Sequence, residues 1–230
     1  FTDNGDRPPD QEAVTIAKEL NETMYEEYMG LLKGRAMVGY EGSTVNYAAY
    51  TNLDSRHVMM SILLFSALPE PISTIVEIGG GFGNWLYLNR AKDFEKWITV
   101  DLPHVGELQR YYLGETGVDL KRWTSVSAFD YKEVEAEKVD LVIGAHSLSE
   151  LAIEIFEDYF QRVVSKSKYF FYCYHTSRPT PALIEAKNQM IQSQFRLVKS
   201  AMSEGGNVAN CLYVNTALDS MTTMAAPAAA

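Results

Sequence analysis

A glycine-rich turn is the segment of this sequence whose residue types best suit ligand chemistry. It reads Glu-Ile-Gly-Gly-Gly-Phe-Gly from Glu77, directly after a β-branched run and before a helical one. Its glycines are Gly79, Gly80, Gly81 and Gly83. Glycine permits a tight turn and lets a ligand approach the backbone closely. We therefore predict a strand, a ligand-binding turn and a helix in this order.

Three kinds of ligand turn compete for this segment, and residue spacing separates them. A phosphate loop carries Lys and then Ser or Thr after its last glycine, and no Lys follows Gly83. A dinucleotide turn has the spacing Gly-x-Gly-x-x-Gly, but Asn84 or Leu86 stands at its third glycine in the two registers. The spacing Glu-x-Gly-x-Gly-x-Gly, led by Glu77, matches at every position.

The leading carboxylate favours a cationic nucleoside over a phosphate. S-adenosylmethionine carries an ammonium and a sulfonium and no phosphate, so Glu77 can serve its amino group directly or through water. Beside a phosphate, the same carboxylate would be repelled. We predict S-adenosylmethionine as the cofactor. On this motif alone, a tight strand-to-helix turn without a ligand remains the alternative.

Carboxylates also follow the next two strand-like runs. Asp101 ends the run Ile-Thr-Val-Asp, where it can accept hydrogen bonds from both ribose hydroxyls of an adenosine. NAD-binding folds use the same position, so Asp101 supports an adenosine without selecting the cofactor. Asp130 can accept from the adenine amino group, with Phe129 or Leu102 against the ring. An ordinary turn residue is the alternative for Asp130.

The order of the remaining runs defines the fold class. Three- and four-residue periodicity predicts two N-terminal helices, at 11–32 and from Asn52 or Asp54 to Leu68. Strands are predicted at 73–80, 96–102, 123–129, 139–145, 168–174, 195–202 and 210–217, and helices at 84–91, 105–113, 149–164 and 180–194. Alternating strands and helices imply a parallel sheet with helices on both faces. The last two strands are joined by too short a loop for a crossover and must pair as an antiparallel hairpin.

This order divides the chain into three parts. Residues 1–70 form a helical cap on the acceptor side, residues 71–218 the α/β core, and residues 219–230 a low-complexity tail rich in alanine. The first residue is not Met, so a fragment of a longer chain is compatible with the sequence.

Composition and charge restrict the partners. The chain has 230 residues, 47% of them hydrophobic, which suits one globular domain. Its formal net charge of −10 disfavours DNA or bulk RNA. Cys173 and Cys211 stand apart in apolar runs, which indicates two buried free thiols, no zinc site and a reducing cytoplasm. The longest apolar run, Val58–Leu68, is too short for a membrane span, so we expect a cytoplasmic protein without a membrane partner.

Several motifs together resemble the sugar O-methyltransferases of the class I S-adenosylmethionine-dependent superfamily. They are Val-Glu-Ile-Gly-Gly-Gly-Phe-Gly, Val-Asp-Leu-Pro, Ala-His-Ser-Leu-Ser-Glu-Leu and Asn-Cys-Leu-Tyr-Val, and the similarity runs from about residue 73 to residue 216. The resemblance implies an α/β, Rossmann-like, seven-stranded methyltransferase sheet of order 3-2-1-4-5-7-6 with the last strand antiparallel. It also implies S-adenosylmethionine as the methyl donor and an N-terminal part that helps to form the acceptor site.

His146 lies at the predicted end of the fourth strand, on the edge where open α/β sheets bind ligands. In the implied fold this position lies beside the transferred methyl group. A sugar hydroxyl is a very weak acid, so we predict His146 as the general base. A strand-end histidine satisfied by a backbone carbonyl is the alternative. Glu150 could orient His146 or bind a sugar hydroxyl, while Ser147-Leu-Ser-Glu150 also has the spacing of a capping box.

The acceptor is predicted to be a small hydroxylated molecule or glycan, and the transfer to be independent of a metal. His175 and Arg178, after the fifth strand, and Tyr47 in the cap are candidate substrate-binding residues. Two other functions stay open. One is a nicotinamide-dependent oxidoreductase, and the other is a non-catalytic methyltransferase-fold module within a larger assembly. The sequence does not predict the oligomeric state.

Overall fold

The computed structural model describes residues 9–33, 35, 51–136 and 138–219. Two helices, α1 (Gln11–Lys33) and α2 (Asn52–Phe65), precede the sheet. The strands are β1 (Thr74–Ile78), β2 (Lys96–Asp101), β3 (Trp123–Ser127), β4 (Leu141–Ala145), β5 (Tyr169–His175), β6 (Phe195–Ser203) and β7 (Val208–Asn215). The other helices are α3 (Asn84–Asn89), α4 (Pro103–Glu115), α5 (Ile153–Arg162) and α6 (Pro181–Gln192). Short 3₁₀ turns lie at Leu120–Arg122, Tyr131–Ala136, Leu148–Glu150 and Val164–Lys166.

The seven strands form one sheet of order β3-β2-β1-β4-β5-β7-β6. β1 to β5 pair in parallel, whereas β7 runs antiparallel to both β5 and β6. This confirms the predicted α/β fold, its strand order and its antiparallel last strand. The carboxyl ends of β1 to β5 therefore meet at one edge of the sheet. Every predicted catalytic or cofactor residue lies at or just beyond one of these strand ends.

Helices cover both faces of the central strands, whose successive side chains point to opposite faces. One apolar cluster joins Ile75 and Trp97 on one face to α1, α2, α3 and α4. The other joins Val76 and Ile98 to α5, α6 and the Tyr131–Ala136 turn. The N-terminal helices thus share a core with α3, the helix that leaves the glycine turn.

The second helix begins where the sequence predicts and ends earlier. Thr51 caps α2 in a capping box: its side chain accepts from the backbone of Asp54, whose carboxylate accepts from the backbone of Thr51. The helix ends at Phe65 and not at Leu68. Leu68 precedes Pro69, and the residue before a proline is sterically pushed away from helical angles.

The predicted helix over 149–164 is wrong in its first part. The chain forms the 3₁₀ turn Leu148–Glu150, becomes extended at Leu151 and Ala152, and enters α5 only at Ile153. The carbonyls of Leu148, Ser149 and Leu151 all accept from the ammonium of Lys187 on α6. In a continuous helix these carbonyls would face amides four residues further on.

The N-terminal helices are also tied to the turn between β6 and β7. Arg56 on α2 forms ion pairs with Asp10, just before α1, and with Glu204 in the turn, at 3.2 Å and 2.6 Å. The amide of Gly205 donates to Glu12 at 2.8 Å. These contacts place α1 and α2 beside the carboxyl edge of the sheet. The boundary of a cap at residue 70 stays a prediction.

Two further expectations concern thiols and membranes. Cys173 and Cys211 are free and buried, as the sequence predicts. Among the helices that the structure describes, none has the length and apolar character needed to cross a membrane.

Candidate functional site

The glycine turn after β1 packs directly against the segment after β4. Gly79, Gly81 and Gly83 have positive φ angles of 77°, 55° and 94°, which glycine adopts readily. A Cβ at Gly79 would lie 2.3 Å from the Cβ of Ser147, so no other residue fits there without movement. The Ser147 hydroxyl donates to the carbonyl oxygen of Ile78, the last residue of β1. The turn and the residue after His146 are therefore in contact.

Asp101 lies across the turn from Gly81. The Gly81 amide donates to Asp101 Oδ2 at 3.2 Å, and the Leu102 amide donates to Oδ1 at 2.8 Å. Partial burial raises the pKa of Asp101, while these backbone amides oppose the rise. A carboxylate oxygen can accept more than one hydrogen bond. Asp101 therefore retains some acceptor capacity, and its bonding to a ribose stays a prediction.

Gln109, on α4, holds the turn and Asp101 together, and sequence reasoning missed it. Its Nε2 donates to the carbonyl of Gly81 at 2.8 Å and lies 3.3 Å from Asp101 Oδ2. Its Oε1 accepts from the hydroxyl of Thr99 at 2.8 Å. The sequence contains one sign of this role: Gln109 lies at helical spacing between Gly106 and Leu113, which are on the buried face of α4.

Glu77 is a buried carboxyl group beneath the turn, with 4% of its surface exposed. Its Oε2 accepts from Trp97 Nε1 at 2.9 Å, and a Cβ at Gly80 would lie 3.2 Å from the same oxygen. Burial raises the pKa of Glu77 to about 7; the Trp97 hydrogen bond opposes this, and the charge of Asp101 adds to it. A nearby cation would reverse this rise and ionise the group.

The other predicted cofactor residues form an exposed rim at the ends of β2 and β3. Leu102 and Phe129 expose 41% and 75% of their surfaces, and Asp130 is exposed as well. The Ala128 amide donates to the carbonyl of Asp101 at 2.7 Å, which joins the two strand ends. Apolar side chains beside Asp101 suit the flat face of a base, and their roles stay predictions.

His146 follows β4 in a strained backbone conformation, with φ of 61°. Its Nε2 lies 3.2 Å from Cys173 Sγ, and its ring lies 5.2 Å from that of His175. Burial lowers the pKa of His146 to about 4, with smaller contributions from the charges of His175 and Arg56. The imidazole is therefore neutral near pH 7, the protonation state that a general base requires.

The structure does not support two expectations for the residues after His146. The capping box of Ser147 and Glu150 does not form, because the Ser147 hydroxyl bonds to Ile78 and caps nothing. Glu150 is exposed, and no hydrogen bond or ion pair joins it to His146 among the residues described. The group that contacts the His146 ring is the thiol of Cys173. Binding of an acceptor hydroxyl by Glu150 stays a prediction.

Of the three candidate substrate-binding residues, the structure describes two, His175 and Arg178. His175, the last residue of β5, is half-buried beside His146. Arg178 is exposed beyond it. Tyr47 lies outside the described residues.

A polar network joins the N-terminal helices to the residue that follows the glycine turn. Asn84, the first residue of α3, has its Nδ2 3.0 Å from His57 Nδ1 and donates to Asp54 Oδ1 at 3.1 Å. Its Oδ1 accepts from Arg35 at 3.3 Å and from Tyr112 at 3.2 Å. The guanidinium of Arg35 also donates to both Asp54 oxygens, at 2.6 Å and 2.8 Å. Because both ends of the Asn84 amide are bonded, its contact with Nδ1 holds the His57 ring in place.

Lys187 fixes the segment after His146 from the opposite face of the sheet. Its side chain is fully buried, and Nζ donates to three carbonyls at 3.1 Å, 2.8 Å and 2.6 Å. Burial lowers the pKa of Lys187 to about 8. The sequence signal was a lysine at helical spacing between two buried residues of α6, Ile184 and Ile191.

Metal ligation has no visible basis in the part of the chain that the structure describes. There, no group of three or more His, Cys, Asp or Glu side chains is arranged to hold a metal ion.

Comparisons with known proteins identify the fold. Protein-family models and the sequences of curated proteins gave no match. Among solved structures, the chain is similar to a candidate RNA methyltransferase from Pyrococcus horikoshii, with a TM-score of 0.58 and 12% identity over 83% of this chain and 96% of that one. It is also similar to an O-methyltransferase family 2 protein from Planctomyces limnophilus in complex with apigenin, with a TM-score of 0.53 and 14% identity over 71% of this chain and 60% of that one. A third similar structure is an S-adenosylmethionine-dependent methyltransferase from Aquifex aeolicus, with a TM-score of 0.50 and 14% identity over 68% of this chain and 89% of that one.

These likenesses and the strand order together define the fold. The chain has the Rossmann-like fold of class I methyltransferases. At identities this low, the likeness establishes the fold alone.

We expect Lys187→Met to destabilise the protein, since it leaves three inward-facing carbonyls without their donor. Loss of hydrogen bonds from a charged group should cost about 2 to 3 kcal/mol, or roughly 5 to 10 °C in melting temperature. Calorimetry on the variant measures this. Lys132→Met, at an exposed lysine, is the control and should melt as the wild type does. A Lys187→Met protein at least as stable as the wild type would contradict the role of Lys187.

Proposed function

We propose that the chain is an S-adenosylmethionine-dependent methyltransferase that methylates a hydroxyl of a sugar or another small hydroxylated acceptor, with His146 as general base. The observation that carries the proposal is the contact between the glycine turn and the segment after β4. Ser147 bonds to Ile78 and packs on Gly79, so the predicted cofactor turn and His146 are neighbours. A base beside the donor is the arrangement that methyl transfer to a hydroxyl requires.

The residues around the turn suit a cationic nucleoside. A Cβ added at Gly81 would meet nothing within 4 Å, which leaves room for a ligand against the backbone. Asp101 would accept from the ribose hydroxyls, and Leu102, Phe129 and Asp130 would hold the adenine. Glu77 would balance the ammonium directly or through water. Asp101 fits either cofactor, but an ionised Glu77 beneath the turn would repel the pyrophosphate of a nicotinamide dinucleotide, which disfavours the oxidoreductase alternative.

The chemistry divides between the cofactor and the chain. S-adenosylmethionine, when bound, supplies a methyl group on a sulfonium that is already a good leaving group. The residues of the chain then orient the two reactants, and His146 accepts the proton of the acceptor hydroxyl. Its lowered pKa keeps His146 neutral near pH 7 and also makes it a weaker base than an ordinary histidine, so its part in the transfer depends on its position beside the acceptor hydroxyl.

Three of the four histidines gather on the acceptor side. The ring of His146 lies 5.2 Å from that of His175, and the charge of His146 lies near enough to His57 to lower the pKa of His57. His57 also stacks on Trp85, with ring centroids 6.2 Å apart. Neutral imidazoles can both donate and accept hydrogen bonds, as the hydroxyls of a sugar do. Arg56, the nearby cation, is already paired with Asp10 and Glu204. These features favour an uncharged polyhydroxyl acceptor over nucleic acid.

Cofactor affinity should depend on pH through Glu77. An ammonium near Glu77 favours its ionised form, so binding near pH 6 should release a proton, and affinity should rise from about pH 5.5 to about pH 7, where the free group titrates. Glu77→Gln should bind roughly 10- to 100-fold more weakly at about pH 7.5 and lose this rise. Titration calorimetry in buffers of different ionisation enthalpy measures both effects.

Gln is the informative replacement because its carbonyl can still accept from Trp97. Glu133→Gln, at an exposed glutamate, is the matched control and should leave affinity and its pH profile unchanged. Equal affinity and an equal pH profile in Glu77→Gln would show that Glu77 does not meet the cofactor.

Removing the imidazole of His146 should abolish transfer and spare cofactor binding. We choose His146→Asn because asparagine tolerates the positive φ at this position better than alanine does. Transfer to a responsive acceptor, found by screening glycans and sugar nucleotides with labelled S-adenosylmethionine, should fall at least about 100-fold. Cofactor affinity of the same variant serves as the control for folding. Full transfer activity in His146→Asn would remove the base assignment.

A further inference from the structure

Cys173 and Asn210 stand side by side behind His146. They are direct neighbours in the register of β5 and β7. Cys173 Sγ lies 3.2 Å from Asn210 Oδ1 and 3.2 Å from His146 Nε2. Both residues are buried, at 0% and 1% exposure, so solvent does not replace either contact. The thiol therefore links the amide to the imidazole.

The orientation of the Asn210 amide settles which atom donates to which. Its Nδ2 donates to the carbonyl of Ala201 at 3.2 Å and to the hydroxyl of Ser203 at 3.1 Å. Both amide hydrogens are then used, so Oδ1 is the atom that faces Cys173. An amide oxygen can only accept, so the thiol hydrogen of Cys173 must point to Asn210.

The direction of the thiol fixes the tautomer of His146 in turn. Burial raises the pKa of the Cys173 thiol far above its ordinary value, so the sulfur keeps its hydrogen. With that hydrogen directed at Asn210, the sulfur offers only lone pairs to His146. His146 Nε2 must then carry the ring hydrogen, and Nδ1 carries the lone pair.

The backbone of His146 is held as firmly as its ring. Its amide donates to the carbonyl of Cys173 at 3.1 Å, and its carbonyl accepts from the hydroxyl of Ser149 at 3.2 Å. A non-glycine residue at positive φ costs of order 1 to 3 kcal/mol and persists only where its surroundings impose it. Ring and backbone are thus both oriented from β5, a central strand of the sheet.

We propose that Cys173 and Asn210 are positioning residues that hold His146 as its Nε2–H tautomer, so that Nδ1 faces the acceptor hydroxyl and takes its proton. The base role of Nδ1 rests on the proposed function, whereas the tautomer does not. After the proton moves from the hydroxyl to Nδ1, the imidazolium keeps its Nε2–H bond to the sulfur. The orienting role that sequence spacing suggested for Glu150 is thus assigned to the hydrogen-bonded chain of Asn210, Cys173 and His146.

Nitrogen NMR on protein labelled in its histidines tests the tautomer without any substrate. The His146 signals are assigned by their loss in His146→Asn. We expect Nε2 to be protonated and Nδ1 unprotonated near pH 7, with the Nε2 hydrogen exchanging slowly with water. Protonated Nδ1 in the wild type would overturn the proposal.

Two variants at residue 173 test the effect on transfer. Cys173→Ala removes the acceptor for Nε2–H and should speed exchange of that hydrogen, with kcat lower by roughly tenfold and KM within about twofold. Cys173→Ser keeps a donor to Asn210 and an acceptor for His146, so slow exchange and most of kcat should return. Wild-type kcat with slow exchange in Cys173→Ala would overturn the positioning role.

The two failures can be told apart. A wild-type protein that transfers no methyl group defeats the proposed function, yet its NMR spectrum still decides the tautomer. Melting temperatures of both variants show whether a lost effect reflects unfolding. Loss of kcat in Cys173→Ala and Cys173→Ser alike, at unchanged stability, would also contradict the proposal.

Discussion

The contact between Gly79 and Ser147 is the constraint on which the rest of the site depends. β1 and β4 are adjacent parallel strands, so the loops after them leave the sheet side by side. Only a residue without a Cβ at Gly79 lets the two loops touch, and the Ser147 hydroxyl then closes on the end of β1. The positions of the predicted cofactor turn and of His146 are thereby set by one packing contact. A side chain at residue 79 would separate them.

Buried polar groups hold this contact from both sides of the sheet. Lys187 gathers the carbonyls after Ser147 from the α6 side, which prevents that segment from becoming the first turn of α5. From the side of α1 and α2, Asp54 and His57 contact Asn84, the residue after the glycine turn. Buried polar groups without such partners would be costly, so each network also fixes one arrangement of its loop.

Local signals in the sequence predicted the alternation of strands and helices and most helix bounds, whereas the sheet order was implied by the family resemblance. The glycine spacing placed Gly79 to Gly83 in the turn, and strand ends placed Asp101 and Asp130. Spacing could not predict the partner of His146, because Cys173 and Asn210 meet it only through strand pairing. Spacing also suggested a capping box at Ser147, which does not form. Whether a serine hydroxyl bonds to its own helix or to a neighbouring strand depends on tertiary packing, which spacing does not contain. Gln109, Lys187 and Asn84 are missed for the same reason.

A direct titration with S-adenosylmethionine and with NAD tests the central claim, that the turn binds a sulfonium nucleoside. The account predicts saturable, enthalpically visible binding of S-adenosylmethionine and of its demethylated product, weakened in Asp101→Asn, and no saturable binding of NAD. Removal of the Asp101 charge lowers the strength of this residue as an acceptor for ribose hydroxyls. Saturable binding of NAD without binding of S-adenosylmethionine would contradict the account.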